Sequence, residues 1–298
     1  TLANDLGADT LFLCMNGFEL PYPSRLFPEA VECDHANVRD NFLQRVLDHA
    51  RLRGLRVHAM FCTTGHATTY AAAHPECVTI DASGQRHATN LCHHHPLGRA
   101  YAEGVATEVL QNYRGWHGVS FHPPENAVPC QCASCEAAFR AETGHRFATA
   151  TPQEISNFYW KSCLAFQRHM EDRACAMIPD LAIASVTIPG QFERDFALVG
   201  KAIPPETTLL HWDYWSFGDR IADLRASLDT FRSAGHRVAF IPSSGWNLDK
   251  CGPDYGARVL EQIEAVRRSG VKDILYFVGA IWHEESLRAT SWKLHRAE

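Results

Sequence analysis

One arrangement of apolar and polar residues recurs along the chain: an amphipathic segment, a glycine, one or two polar residues, and then an apolar run rich in β-formers. It occurs as ARLRGLRVHAMF (50–61), FRSAGHRVAFIP (231–242) and VRRSGVKDILYF (266–277). The amphipathic part is clearest at 37–54, where Val38, Phe42 and Val46 recur every four residues, as they do on one face of a helix. Each occurrence therefore predicts a helix followed by a strand.

Seven strands are predicted from the apolar runs, near 10–15, 56–62, 117–122, 181–187, 207–213, 237–242 and 273–278. Most runs are continuously apolar, which is typical of parallel strands covered by helices on both faces. The sequence lacks the glycine-rich turns of nucleotide-binding doubly wound sheets, and this favours an α/β fold of the (β/α)8 TIM-barrel type. TLANDLGADTLFL at 1–13 has the pattern of a helix end followed by a strand. We therefore expect residues 1–298 to be a single TIM-barrel domain that is truncated at its N-terminus and lacks its first strand.

Composition and charge narrow the classes of function. Hydrophobic residues make up 46% of the chain and charged residues 21%, as in a globular protein with a sizeable core. The net charge is -6 and the basic residues are scattered, which argues against a nucleic-acid partner. No apolar stretch approaches the roughly 20 residues that span a bilayer, so no membrane partner is predicted. Oligomeric state and compartment stay open.

Barrel active sites lie just beyond the carboxyl ends of the strands. At these positions the sequence concentrates tryptophan, histidine, carboxylate and amide side chains. Tryptophan rings stack on the apolar faces of sugars while polar groups bind the hydroxyls, so a carbohydrate substrate is predicted. The alternative is that the tryptophans only plug the barrel mouth. The predicted substrate-binding residues are Asn16, Glu19, His66, Asn126, Trp212, Trp215, Trp246, Asn247, Trp282 and Glu284.

Two segments carry a resemblance to a known group of proteins. They are HPECVTIDASGQRHATNLCHHHP (74–96) and GVSFHPPENAVPCQCASCEAAFRAETGH (118–145), the second with a C-x-C-x-x-C motif just after a predicted strand. Over about residues 50–145 the chain resembles glycoside-hydrolase-type barrels, which implies a carbohydrate-active enzyme. It departs from them where Pro-Pro-Glu replaces Asn-Glu or Asp-Glu after the strand ending at His122. Ser243-Ser244-Gly245 also stands where those barrels carry a nucleophilic glutamate.

Glycoside hydrolysis needs one group that protonates the leaving oxygen and another that attacks the sugar or activates water. Glu125 is the predicted acid or acid/base, and Asp213, which lies between two tryptophans in HWDYW, is its predicted partner. The alternative for either carboxylate is to stabilise the start of the following helix. A second hypothesis is an inverting sialidase-like enzyme that uses His122.

The cysteines suggest a metal site. Cys130, Cys132 and Cys135 provide three thiolates of a structural zinc site. The predicted fourth ligand is Cys92, with one of His93, His94 and His95 as the alternative. A disulfide between Cys92 and one of the other three cysteines is a further alternative. Four further cysteines, Cys14, Cys62, Cys163 and Cys175, lie in apolar stretches and are predicted to be buried thiols.

Three classes of function follow from these residues. The first is a glycoside hydrolase, which requires no cofactor and uses zinc only structurally. The second is a metal-dependent hydrolase whose zinc is bound by His93 and His95 and keeps an open position for water. The third is a catalytically silent barrel that binds a glycan.

Overall fold

A computed structural model describes most of the chain. The described residues are 8–17, 19–31, 42–122, 128–188, 203–204, 206–213, 216–242 and 255–275.

The strands form one parallel sheet and one antiparallel hairpin. Their bounds are β1 Thr10–Cys14, β2 Arg56–Cys62, β3 Val78–Ile80, β4 Arg86–Leu91, β5 Gly118–His122, β6 Ala182–Thr187, β7 Thr208–Trp212, β8 Val238–Ile241 and β9 Asp273–Ile274. Seven of them make a sheet in the order β1-β2-β5-β6-β7-β8-β9, so sheet order follows chain order. The strand pairs with a defined register in this sheet are parallel. The other two strands, β3 and β4, pair antiparallel.

Helices separate the strands of the sheet. Their bounds are α1 Phe42–Leu52, α2 Thr68–Ala73, α3 Pro96–Asn112, α4 Ala133–Thr143, α5 Pro152–Met177, α6 Ile221–Ser233 and α7 Tyr255–Arg268. Helix α5 begins with a capping box: the Thr151 hydroxyl accepts from the Glu154 N–H at 3.3 Å, and the Glu154 carboxylate accepts from the Thr151 N–H at 2.7 Å. Among the described helices, none is both long enough and apolar enough to cross a bilayer.

The seven predicted strands are confirmed, with ends that differ by a few residues from the predicted ones. The hairpin of β3 and β4 was not predicted, because its strands are short and β4 is mostly polar. The sequence does contain residues that are typical of its turn, Asp81 and Gly84. The Asp81 carboxylate accepts from the N–H groups of Ser83 and Gln85 at 2.8 and 3.0 Å, and Gly84 has a φ of 83°.

The chain divides into two compact units, and the division falls within β6. The larger unit contains Thr10–Ile183 and Asp195–Ala202; the smaller contains Thr1–Asp9, Ala184–Arg194 and Ile203–Glu298. The prediction of a single domain stays a prediction. In the smaller unit, Leu209 and Phe240 of the sheet pack with Phe231 of α6 and Val266 of α7.

The strands of the larger unit present two different faces, because successive side chains of a strand point to opposite sides. Val57, Ala59 and Phe61 of β2 belong to one apolar cluster with Val119 and Phe121 of β5 and with residues of α1 and α3. The opposite face carries Phe12 and Cys14 of β1, His58, Met60 and Cys62 of β2, and Ser120 and His122 of β5. The contact of Phe12 with His58, at 4.7 Å between ring centroids, lies on this polar face.

Candidate functional site

Side chains from three strand ends meet at the carboxyl edge of the polar face in the larger unit. Cys14 is the last residue of β1, and Cys62 and His122 are paired in register at the ends of β2 and β5. His66, in the loop after β2, has its ring centroid 6.3 Å from that of His122. We call Cys14, Cys62, His66 and His122 the strand-end cluster.

The buried side chain of Asn16, just after β1, is hydrogen-bonded to the backbone at the end of β2. Its side-chain N–H donates to the Cys62 carbonyl at 2.8 Å, and its side-chain oxygen accepts from the Cys62 N–H at 2.7 Å. The side chain is 1% exposed, so these two hydrogen bonds replace water for the backbone N–H and carbonyl of Cys62. The structure thus gives Asn16 a positioning contact in addition to its predicted role as a sugar ligand.

The loop after β2 is hydrogen-bonded to the end of β5. The Thr63 N–H and hydroxyl both donate to the His122 carbonyl, at 2.9 and 3.0 Å. Further along this loop, the Ala67 N–H donates to the Thr89 carbonyl at 3.1 Å. Between Thr63 and Ala67, His66 has a φ of 59°, in the left-handed region that non-glycine residues rarely adopt. Such backbone strain is concentrated at functional sites, which makes His66 the most suggestive of the described sugar-binding candidates.

Several predicted site residues lie away from the strand-end cluster or outside the described residues. Glu19 is exposed, and its carboxylate accepts from the Thr69 hydroxyl at 3.3 Å. The predicted acid Glu125 and six of the predicted binding residues lie outside the described residues: Asn126, Trp215, Trp246, Asn247, Trp282 and Glu284.

Asp213 and Trp212 lie at the end of β7 in the smaller unit, and both are buried. The Asp213 carboxylate accepts from the Ser216 N–H at 3.0 Å. Gln262 of α7 donates to the carbonyls of Asp213 and Ser216, at 3.2 and 3.1 Å. These contacts are structural, and both the catalytic role of Asp213 and its alternative, stabilising the start of the following helix, stay predictions.

His211 points to the other face of the sheet from Trp212, because successive side chains of a strand alternate between faces. Its ring contacts Phe231 of α6, with centroids 5.0 Å apart, so it faces the helices. Burial lowers the pKa of His211 to about 4, against an opposing contribution from Asp213. A neutral imidazole on the helix side is a core residue.

Four cysteines converge in the larger unit, beside the β3–β4 hairpin. Cys92, Cys130, Cys132 and Cys135 are all buried, and their sulfur atoms all lie within 4.8 Å of one another. Cys92 follows β4, whereas Cys132 and Cys135 stand at the start of α4. The Cys130 sulfur also accepts from the Ile80 N–H at 3.5 Å. We call this set the four-cysteine cluster; the predicted ligands are the ones that the fold brings together.

The geometry of the four-cysteine cluster fits a zinc ion. Around a tetrahedral zinc with Zn–S bonds of about 2.3 Å, the sulfur atoms stand about 3.8 Å apart. The sulfur of Cys92 is 3.5 Å from that of Cys132 and 3.4 Å from that of Cys135. Hydrogen bonds from the other thiols, Cys130 foremost, hold the pKa of Cys132 well below its usual range, so the cluster readily holds a thiolate.

Tight packing surrounds the four-cysteine cluster. A Cβ added at Gly98, in the first turn of α3, would lie 2.5 Å from the Cys92 carbonyl oxygen, so only glycine fits there. Tyr159 of α5 is fully buried against the cysteines, and Trp160 packs beside it. Such a site is closed to substrate, as structural zinc sites are.

His93 and His95 have other partners. One nitrogen of the buried His93 ring, Nε2, is 2.7 Å from the Ser162 hydroxyl, and Nδ1 is 3.8 Å from the Cys163 sulfur. His95 Nδ1 accepts from the Leu97 N–H at 3.3 Å and caps α3. The described residues offer a metal ion the four-cysteine cluster, without these two imidazoles.

Two of the thiols predicted to be buried are not. Cys62 is buried and Cys163 is half-buried, but Cys14 and Cys175 are exposed. The prediction was wrong for these two because an apolar neighbourhood in sequence does not fix which face a residue occupies. Cys14 lies on the polar face of β1, and Cys175 on the solvent side of α5.

Comparison with known proteins shows the fold. No protein-family profile matches the sequence, and no curated protein does. Among solved structures, the β-galactosidase of Marinomonas ef1 is 12% identical with a TM-score of 0.69, over 99% of this chain and 56% of that one. The β-galactosidase of Halorubrum lacusprofundi is 13% identical with a TM-score of 0.69, over 97% of this chain and 54% of that one.

A chitobiase of Flavobacterium johnsoniae is more distant, at 11% identity and a TM-score of 0.52, over 99% of this chain and 48% of that one. The chain thus spans about half the length of these proteins. Identities this low show the fold alone. The parallel sheet and its helices are consistent with part of a TIM barrel, the fold that the sequence predicts.

Proposed function

We propose that the protein is a glycoside hydrolase. The observation that carries this proposal is the strand-end cluster: polar side chains gather at the carboxyl ends of parallel strands, in a fold shared with β-galactosidases over nearly the whole chain. In barrels of this kind, the chemistry takes place at that edge of the sheet. The two imidazoles of the cluster suit hydrogen bonding to sugar hydroxyls.

Glu125 is the proposed general acid or acid/base. It follows His122, the last residue of β5, by three positions in the chain, behind two prolines that restrict the backbone. Asp213 is the proposed second carboxylate, which attacks the sugar or activates water. His122, which is buried in the strand-end cluster, is the proposed catalytic group of the sialidase-like alternative.

A substrate screen tests the proposed activity. The purified protein is incubated with aryl glycosides, including β-galactosides, N-acetyl-β-glucosaminides and sialosides, and the released anomer is followed by NMR. Hydrolysis of one class identifies the sugar, and the configuration of the first-formed product separates retention from inversion. Binding of glycans without turnover of any glycoside contradicts the proposal and supports a silent barrel.

Substitution of the proposed acid sharpens the test. Glu125→Gln removes the proton donor but keeps the shape, so we expect kcat to fall by about 10²- to 10⁴-fold with binding retained. Glu142→Gln is the matched control, because Glu142 is an exposed residue in α4. Equal activity of the two variants excludes Glu125 as the acid.

We also propose that zinc in the four-cysteine cluster is structural. The cluster is buried and closed, and Cys130 lies five residues after Glu125, so a fixed cluster shortens the free chain around the proposed acid. When bound, zinc supplies only cross-linking of β4, α4 and the segment before it. Loss of activity on chelation while the protein stays folded, as judged by circular dichroism, favours the metal-dependent hydrolase instead.

A further inference from the structure

The two thiols of the strand-end cluster have no role in the proposed hydrolysis, yet they are in contact. Cys14 and Cys62 end adjacent parallel strands on the same face of the sheet. The Cys62 thiol hydrogen-bonds the Cys14 sulfur, and the Asn16 N–H donates to it as well. The two thiols differ in access, because Cys14 is exposed and Cys62 is 6% exposed.

We propose that Cys14 and Cys62 form a peroxide-sensitive dithiol, in which Cys14 reacts first and Cys62 resolves it into a reversible disulfide. The sulfur atoms are already in hydrogen-bond contact, so bond formation requires them to approach to about 2.05 Å. Because Asn16 holds the N–H and the carbonyl of Cys62, this approach is made by the side chain of Cys14.

The reaction is balanced with hydrogen peroxide as the oxidant. The Cys14 thiolate attacks one peroxide oxygen, the O–O bond breaks, and the departing hydroxide takes a proton to become water, which leaves a sulfenic acid. The Cys62 sulfur then attacks the Cys14 sulfur, the S–O bond breaks, and the hydroxide leaves with the Cys62 proton as a second water. Two thiols and one peroxide thus give a disulfide and two waters, and an added dithiol reverses the bond by exchange.

The surroundings of Cys14 favour its ionised form. The hydrogen bond from Cys62, the Asn16 N–H and the nearby His122 and His66 lower the pKa of Cys14 to about 7, although partial desolvation of the sulfur atom by the surrounding protein opposes them. At pH 7 a larger fraction of this thiol is therefore ionised than of an ordinary cysteine.

Cys175 is the matched control within the same chain. It is exposed like Cys14, but burial of its sulfur and the carboxylates of Asp172 and Glu171 raise the pKa of its thiol. A lower pKa also weakens the nucleophile, so the net advantage of Cys14 is smaller than the difference in ionisation. We expect alkylation of Cys14 to be at least about threefold faster than that of Cys175 at pH 7.

The experiment uses the full chain as purified. The protein is treated with one equivalent of hydrogen peroxide at pH 7, free thiols are blocked with N-ethylmaleimide, and disulfides are mapped by mass spectrometry. The expected product is a Cys14–Cys62 cross-link that dithiothreitol removes. Iodoacetamide labelling of the untreated protein gives the relative rates of Cys14 and Cys175 without any substitution.

Two variants separate the steps. In Cys62→Ser, the sulfenic acid of Cys14 persists and is trapped by dimedone; in Cys14→Ser, neither the trap nor the cross-link is found. Cys175→Ser should leave the cross-link unchanged. The proposal is overturned if Cys14 is alkylated no faster than Cys175, or if oxidised Cys14 pairs chiefly with another cysteine, including Cys33 or Cys251. These readouts do not depend on glycosidase activity.

Discussion

Two groups of cysteines in the larger unit show how the same side chain acquires different chemistry from its surroundings. In the four-cysteine cluster, four buried sulfur atoms face one another and solvent is excluded. In the strand-end cluster, two sulfur atoms share an edge with two imidazoles, and one sulfur is exposed. Buried thiols that face one another favour the binding of a metal cation, which neutralises their thiolates. An exposed thiol beside hydrogen-bond donors is instead a favourable nucleophile.

The largest expected effect is on stability, and it separates the two clusters. Cys135→Ser removes one zinc ligand from a buried site, and we expect the free energy of unfolding to fall by about 4 kcal/mol. Cys14→Ser, at an exposed position, should cost less than about 1 kcal/mol. Urea denaturation measures both, and elemental analysis gives the zinc content. A protein that purifies without metal and responds equally to both substitutions contradicts this contrast.

The pH dependence of the free energy of unfolding tests whether water reaches the polar face of the sheet below the strand-end cluster. Burial lowers the pKa of His58 to about 4, below the ~6.5 of an unfolded chain. Between these values the unfolded chain binds more protons, so the stability contributed by neutral His58 is complete above about pH 6.5 and is lost as the pH falls toward about 4.

We therefore expect the wild type to lose about 2 kcal/mol between about pH 7 and 5 that His58→Gln does not lose. Urea titrations at the two pH values measure the difference. The same pH slope in both proteins indicates that water reaches this face.

A similar effect is expected where Asn16 supports the strand-end cluster. Asn16→Ala leaves the buried N–H and carbonyl of Cys62 without their partners, and we expect a loss of about 2 kcal/mol. Asn157→Ala is the control, since Asn157 accepts from Gln153 at 2.7 Å on an exposed surface of α5 and should matter little. Thermal unfolding compares the two. Equal melting temperatures count against a positioning role for Asn16.

The smallest expected effect concerns the helix that covers the four-cysteine cluster. Thr151→Ala removes the capping box of α5 and should cost about 1 kcal/mol. Because Tyr159, which packs on the cysteines, is two turns further along the helix, zinc content should not change. A variant that loses its zinc shows that the start of α5 holds the site.

The strands were predictable because continuous apolar runs and glycine-terminated helices are local signals. All seven runs became strands of one sheet, whereas the polar strand β4 gave no such signal. The four-cysteine cluster was partly predictable, since three ligands lie within six residues of sequence and Cys92 lies in the neighbouring loop. The strand-end cluster was not: His66 and His122 were identified singly, but the pairing of Cys14 with Cys62 depends on the register between β1 and β2.

The sequence by itself determined the alternation of helices and strands, the parallel sheet, and the residue types that stand where strands end, because each follows from short-range periodicity and turn chemistry. Only the tertiary structure decided which of those residues meet. It turned His211 toward the helices, tied Asn16 to Cys62, and left Cys14 open to solvent. The physical reason is that a shift of one residue along a strand moves a side chain to the other face, and register is fixed by packing between strands distant in sequence.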